Sequence, residues 1–164
     1  MSERSSLGII VLIVAVLSSS YFAREKGINQ PAPGFSLPDG YGGQLDLESY
    51  RGRPVLLVFW ATWCGICQRE MPLLNQMQGE FDRKGVSVLA IHLGGKENAD
   101  GYMRSNRIYL TSVADPAGVV GRAYHVSGLP SLVLIGKDGK VKRASSGWTG
   151  ENVLRDWIED FQGS

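Results

Sequence analysis

The apolar residues of this chain fall into runs of two periods, and the periods separate strands from helices. Val55-Leu56-Leu57-Val58-Phe59-Trp60 is an unbroken apolar run rich in β-branched and aromatic residues, the pattern of a strand buried on both faces. From Leu73 and Leu74 through Met77 to Phe81 the apolar positions instead recur at three- and four-residue spacing, which predicts a helix with one face against a sheet. Gly85 ends that helix, and Val86-Ser87-Val88-Leu89-Ala90-Ile91 predicts a second buried strand. A strand, a helix and a strand in that order imply a parallel pair joined by a right-handed crossover. Lys96 to Arg107 carries a helical pattern, and Asp115-Pro116 opens a turn and short helix ending near Tyr124. Gly136-Lys137-Asp138-Gly139 then joins two strands as a hairpin. Glu151 to Phe161 is the last helix, with Val153, Leu154, Trp157, Ile158 and Phe161 on one face.

Upstream of the central run, Phe35-Ser36-Leu37 and Gln44-Leu45-Asp46-Leu47 alternate apolar and polar residues about a turn-rich stretch from Pro38 to Gly43, which predicts a hairpin. The order of elements gives an α/β fold in one domain over residues 31–164. It has a mixed central sheet flanked by helices and an N-terminal β-hairpin extension. Residues 24–30 mix charge and Gly without periodicity and read as a linker. Before them, Ser5 to Ala23 is 19 residues without charge, which as a helix spans roughly 28 Å, close to a hydrocarbon core. Residues 1–23 are therefore an N-terminal membrane anchor or signal segment. Tyr21 and Phe22 suit an interfacial belt, whereas Ser18 and Ser20 suit a cleavage site. Either way the domain is exported.

Charge adds little: 17 basic and 16 acidic residues give a net charge of +1, and no basic run points to nucleic acid. The cysteine count says more. Both cysteines of the chain, Cys64 and Cys67, lie in Trp63-Cys64-Gly65-Ile66-Cys67, at the passage from the central strand into the long helix. The first turn of a helix offers unpaired N–H groups and the positive end of the macrodipole to a thiolate, so Cys64 is the expected nucleophile. Cys67, one turn on, is placed to close a small disulfide ring and to resolve a mixed disulfide. A ring so small removes little chain entropy, which argues against a purely structural staple. Cys64 and Cys67 with His92 and His125 are a candidate zinc set, but the two histidines have no ligand spacing. Two cysteines confined to one motif suit an oxidising compartment, where stray thiols form wrong disulfides. Glu70, three residues after Cys67, shares its helix face and is a candidate to relay a proton, although most helix glutamates are solvated.

The Trp-Cys-Gly-Ile-Cys motif after an apolar strand resembles the thioredoxin superfamily. Glu70-Met71-Pro72-Leu73-Leu74 narrows the resemblance to the membrane-anchored, extracytoplasmic TlpA/ResA/DsbE-like thiol-disulfide oxidoreductases. Ser127-Gly128-Leu129-Pro130-Ser131 is similar to the segment in which that superfamily keeps a cis-proline facing the cysteines, and Pro130 matches the proline. The resemblance covers residues 31–164 and implies a thioredoxin fold. It implies catalytic roles for Cys64, Cys67 and Glu70, a substrate-binding edge at Trp63, Leu129 and Pro130, no cofactor and no metal. The implied partners are protein thiols and disulfides, such as apocytochrome c during cytochrome c maturation, with a membrane electron donor for re-reduction, the domain being a monomer. Thioredoxin itself has a buried Asp where this chain has Val58, and many relatives have Pro where this chain has Ile66. Two rivals are a peroxiredoxin-like peroxidase and a copper-binding chaperone module. The first expects Pro four residues before Thr62, where Val58 stands, and the second spaces its cysteines by three residues and adds a histidine.

Overall fold

The six side chains of Val55–Trp60 need apolar cover on both faces, and the strand that they form lies in the middle of a five-stranded sheet, every residue of it buried. The structure is a computed structural model that describes residues 27–39 and 43–159; the anchor or signal segment at 1–23 and Phe161 lie outside them. In chain order the elements are β1 (Ser36–Pro38), β2 (Gln44–Asp46), a 3-10 turn (Leu47–Tyr50), β3 (Val55–Trp60), α1 (Gly65–Arg83), β4 (Ser87–His92) and α2 (Lys96–Ser105). There follow β5 (Thr111–Ala114), α3 (Val119–Ala123), β6 (Ser131–Ile135), β7 (Val141–Ser146) and α4 (Glu151–Glu159). The strand order is β5-β4-β3-β6-β7, and β1 and β2 form the separate antiparallel hairpin. β3 runs parallel to β4 and β4 to β5, whereas β6 is antiparallel to β3 and β7 to β6.

This topology decides where the helices go. The two parallel crossovers step across the sheet in the same direction, so right-handed connections drop α1 and α2 on one face. Residues of α1, α2 and α4 share one apolar cluster there with Leu56, Val58 and Trp60. The alternate side chains of β3, Val55, Leu57 and Phe59, point the other way, into a cluster closed by Val120 of α3, Tyr124, and the N-terminal residues Phe35, Leu37 and Leu45. The result is the expected mixed sheet with cover on both faces.

The differences from the sequence reading are local. β5 was not expected: only Val113 and Ala114 of its four residues are buried, so an edge strand left a two-residue apolar signal. α2 stops at Ser105, two residues short of the expected Arg107, because Arg107 turns to φ 55° and Ile108 N–H closes on the Met103 carbonyl at 2.9 Å. In α4, Leu154 and Ile158 are buried but Val153 faces solvent, 42% exposed, so the buried stripe is narrower than expected. The hydrogen-bonded chain also reaches upstream of Pro31. Asn29 N–H donates to the Val141 carbonyl at 2.7 Å, and Val141 N–H to the Gln30 carbonyl at 3.0 Å. This strap pairs with the start of β7 on its open edge, at Val141. Among the described residues no helix is long and apolar enough to cross a membrane.

α1 is the element that carries the chemistry, and its buried positions are Cys67, Glu70, Met71, Leu74, Met77 and Phe81. It runs through Pro72, which has no N–H for the Gln68 carbonyl; the Tyr102 hydroxyl of α2 donates to that carbonyl instead, at 3.4 Å. Leu74 has no exposed surface. Leu74→Ala is expected to lower unfolding stability by roughly 2–5 kcal/mol, measured by urea denaturation followed by circular dichroism. A loss well under 1 kcal/mol would mean that α1 is not held by this face.

Candidate active site

The spacing that buries α1 also decides what its first turn presents. Cys64, Cys67 and Glu70 continue the stripe of Met71, Leu74, Met77 and Phe81 toward the N-terminus, while Gly65, Ile66, Gln68 and Arg69 between them face solvent. Cys64 is the N-cap of α1 with extended backbone, and its sulfur accepts the Cys67 N–H at 3.2 Å. Cys64 and Cys67 are joined as a disulfide with Cα atoms 5.2 Å apart. Cys64 is 8% exposed and Cys67 not at all, so only the first sulfur is within reach of a partner, through a narrower opening than the sequence led us to expect. The residues inside the ring are unconstrained: Ile66 is 43% exposed, and a Cβ built on Gly65 would meet nothing within 4 Å.

Glu70 is fully buried, which overturns the solvated-helix alternative. Its Oε1 accepts the Thr149 N–H at 3.0 Å, from the turn between β7 and α4, and its Oε2 has no hydrogen-bond partner. Burial pushes the carboxyl above its ordinary value, and the donors at Thr149 and Gly150 offset this only in part. A carboxyl that holds its proton longer than usual, one turn past Cys67 on the same buried stripe, has the character of a proton exchanger.

The second half of the site arrives from β6. The Leu129–Pro130 peptide is cis, Pro130 is buried, and its carbonyl accepts the Gly147 N–H at 2.8 Å. Trp63, Cys64, Ile66, Leu93, Val126 and Leu129 line one open groove. Trp63 stands 75% exposed at its rim, as the resemblance implied. The structure therefore brings Trp63, Cys64 and Leu129 to one surface, whereas Glu70 does not line the groove and is held through Thr149. The turn from Gly147 to Gly150 links the two halves, one N–H on the Pro130 carbonyl and another on Glu70.

The histidines do not converge on the cysteines. His125 is an exposed residue with φ 54°, and His92 is buried at the end of β4 with Nε2 accepting the Thr62 N–H at 3.2 Å. Among the described residues no group of three or more His, Cys, Asp and Glu is placed to hold a metal ion. Thr149 and Tyr102 serve this region and were not singled out from the sequence, and His92 was considered there only as a zinc ligand. The burial of Glu70 was open to detection: extending the stripe from Leu74 back by three- and four-residue steps reaches Met71, Glu70 and Cys67.

Residues 28–144 match the model of the AhpC/TSA family. The thiol-disulfide oxidoreductase ResA of Geobacillus thermodenitrificans is 34% identical, with 94% of this chain and 92% of that protein covered. ResA of Bacillus subtilis is 31% identical over 92% of this chain and 88% of its own. Among solved structures, a Chlorobium tepidum protein provisionally named as the thiol:disulfide interchange protein DsbE superposes with a TM-score of 0.71 at 34% identity, covering 84% of this chain and 94% of that one. StoA of Bacillus subtilis shares the fold, with a TM-score of 0.67 at 19% identity over 77% of this chain and 96% of its own.

The raised carboxyl makes a signed prediction about stability. The folded protein binds the Glu70 proton more tightly than the unfolded chain, whose carboxyl titrates near its ordinary 4.5, so stability from this group is full below that pH and is lost as pH rises through the folded value. Glu70→Gln, which keeps an oxygen for Thr149 N–H, is expected to melt higher than wild type at pH 7, with the gap closing toward pH 4. A variant that melts lower at pH 7 would show that the ionised carboxylate is favoured in place.

Proposed function

The chain belongs to the AhpC/TSA family of thioredoxin-superfamily domains and, with its paired cysteines, is a ResA-like thiol-disulfide oxidoreductase, and from that premise we propose that it reduces disulfides in exported proteins. The observation that carries this reading is the Cys64–Cys67 pair at the start of α1, with a buried carboxyl continuing the same stripe. In the reduced enzyme the Cys64 thiolate, held by the Cys67 N–H and the helix terminus, attacks one sulfur of a partner disulfide; that bond breaks and one partner sulfur leaves as a thiolate and takes up a proton. Glu70 accepts the Cys67 proton, the Cys67 thiolate attacks the Cys64 sulfur, and the second partner sulfur leaves as a thiolate and takes up a proton as Glu70 releases its own. Two electrons have then passed to the partner, with the Cys67 proton and one proton from solvent, and the enzyme holds its disulfide. Trp63 and Leu129, which line the groove, form the edge on which the partner segment lies, with the buried Pro130 directly after Leu129.

Direction follows from charge. A strongly oxidising pair stabilises its thiolate with nearby cations or donors. The side chains of Gly65 and Ile66 supply no cation, and the Arg69 guanidinium lies over the Trp148 ring, 5.1 Å from its centre. Glu70 contributes a proton or a negative charge, never a positive one. The dithiol therefore gains little and the disulfide is comparatively stable, as a reductant requires. Residues 1–23 would hold the domain at the outer face of the cell membrane, where a membrane donor restores the dithiol; apocytochrome c, with paired cysteines, is a fitting substrate. Peroxide reduction is less well supported, because counting back from Cys64 the positions where that motif needs Thr and Pro hold Ala61 and Leu57, and Cys64 is paired with a cysteine three residues away.

Two measurements test this. Cys67→Ser is expected to accumulate mixed disulfides with partners through Cys64, resolved by non-reducing gels and mass spectrometry, whereas Cys64→Ser is expected to trap none. Equilibration with glutathione is expected to give a potential of roughly −230 mV or lower. A value above about −180 mV would make the protein an oxidase or isomerase and would end the charge argument.

A further inference from the structure

Thr62 lies in the irregular segment between β3 and α1, where no strand or helix partner satisfies its backbone. Its carbonyl accepts Gln68 Nε2 at 2.8 Å, and its N–H donates to His92 Nε2 at 3.2 Å. The imidazole is fixed for this task. His92 is 1% exposed and sits opposite Trp60 in the β3–β4 register, with the Trp60 ring edge-on at 4.9 Å between centroids. Gly94 closes the other side so tightly that a Cβ there would lie 2.7 Å from His92 Cε1. Nδ1 lies against Gly94 without a hydrogen-bond partner, and since Nε2 accepts the Thr62 N–H, the proton of the neutral ring belongs on Nδ1. A ring that only filled space would be better replaced by an apolar one, since a buried imidazole with one nitrogen unpaired costs free energy.

We propose that His92, as the neutral tautomer protonated on Nδ1, is a positioning residue for the redox reaction: its Nε2 holds the Thr62 N–H and so fixes the Ala61–Trp63 segment that presents Cys64 to a partner. This rests on the oxidoreductase reading and names a residue that supports it without touching the substrate. The Ala61 carbonyl accepts the Cys64 N–H at 3.2 Å, so a shift at Thr62 is passed directly to the N-cap. Protonation at Nε2 would replace the acceptor with a second donor facing Thr62 N–H and release the segment. Burial opposes this and pushes the imidazole down from its ordinary 6.5, so the release belongs to acid conditions. Among the described residues, the groups placed against the ring are uncharged: Trp60 from β3, Thr62 from the loop and Gly94 from the turn after β4. Asp115, whose N–H donates to the His92 carbonyl, turns its carboxylate to Val119 and Gly121 N–H in α3, and the Tyr102 ring of α2 packs against Trp60.

The test uses the full chain in detergent micelles. Imidazole nitrogen NMR is expected to show His92 protonated on Nδ1 at neutral pH, with the protection of the Thr62 amide, measured relative to its intrinsic exchange rate at each pH, falling as the pH falls through the His92 titration. His92→Leu removes the acceptor, and Thr62 exchange is expected to speed by about tenfold, the loss of one hydrogen bond. The pH profile of Cys64 alkylation by iodoacetamide, read by site-resolved mass spectrometry of the reduced protein, is expected to move to higher pH. His92→Gln, whose amide oxygen reaches the Nε2 position but does not titrate, is expected to restore both readouts and to abolish the acid effect. A proton on Nε2 in the wild type overturns the proposal, as does a folded His92→Leu protein with both readouts unchanged. If His92→Leu does not fold, the wild-type tautomer and acid titration decide. No readout here requires turnover, so insulin reduction by the wild type tests the oxidoreductase reading separately.

Discussion

One helix lying on one strand along an unbroken buried stripe is the constraint that everything else in this molecule answers to. Met71, Leu74, Met77 and Phe81 are each almost wholly buried, and at roughly 1.5–3 kcal/mol apiece they hold α1 down with about 6–12 kcal/mol. Leaving one oxygen of the buried Glu70 carboxyl unpaired costs on the order of 1–3 kcal/mol. The apolar residues win, so the helix stays docked and the carboxyl is carried down with it. Cys67 is buried for the same reason, while Cys64 at the cap keeps a small exposed surface.

A docked helix that begins with a redox pair and contains a proline leaves polar groups stranded, and distant parts of the chain come to meet them. Tyr102 reaches the Gln68 carbonyl from 34 residues away, His92 meets the Thr62 N–H from 30, and the Thr149 N–H meets Glu70 from 79. None of the three lies within the motif that they serve. Each satisfies a polar group that secondary structure leaves without a partner, and each thereby ties a different element to the cysteines: α2, the end of β4, and the turn before α4. The turn from Gly147 to Gly150 goes further, since it holds both Pro130 and Glu70.

The parts of this arrangement governed by periodicity were legible in the sequence. β3 appears as written, and the α1 stripe, the crossover to β4 and the hairpin of β6 and β7 follow from patterns that burial enforces along the chain. β5 was not legible, because an edge strand buries too little to leave a pattern. The end of α2 was missed for another reason: Arg107 adopts positive φ without being a glycine, and no residue type announced the stop. At the site the cysteines and Pro130 were visible as motifs. The partners of Glu70 and Thr62 were not, since hydrogen bonds to backbone N–H groups carry no side-chain signature at the donor end.

The alternation of exposure inside the redox ring separates two kinds of evolutionary freedom. Cys67 and Glu70 lie in the packed stripe, and a change at either must be absorbed by the core. Gly65 and Ile66 touch nothing that the fold needs: position 65 has open space where a side chain would go, and Ile66 stands half in solvent between the sulfurs. Substitutions there alter the environment of the thiolate and the surface met by a partner while leaving the packing untouched. A lineage, or an engineer, can therefore retune the potential through these two residues as an independent dial, without renegotiating the stability of the scaffold.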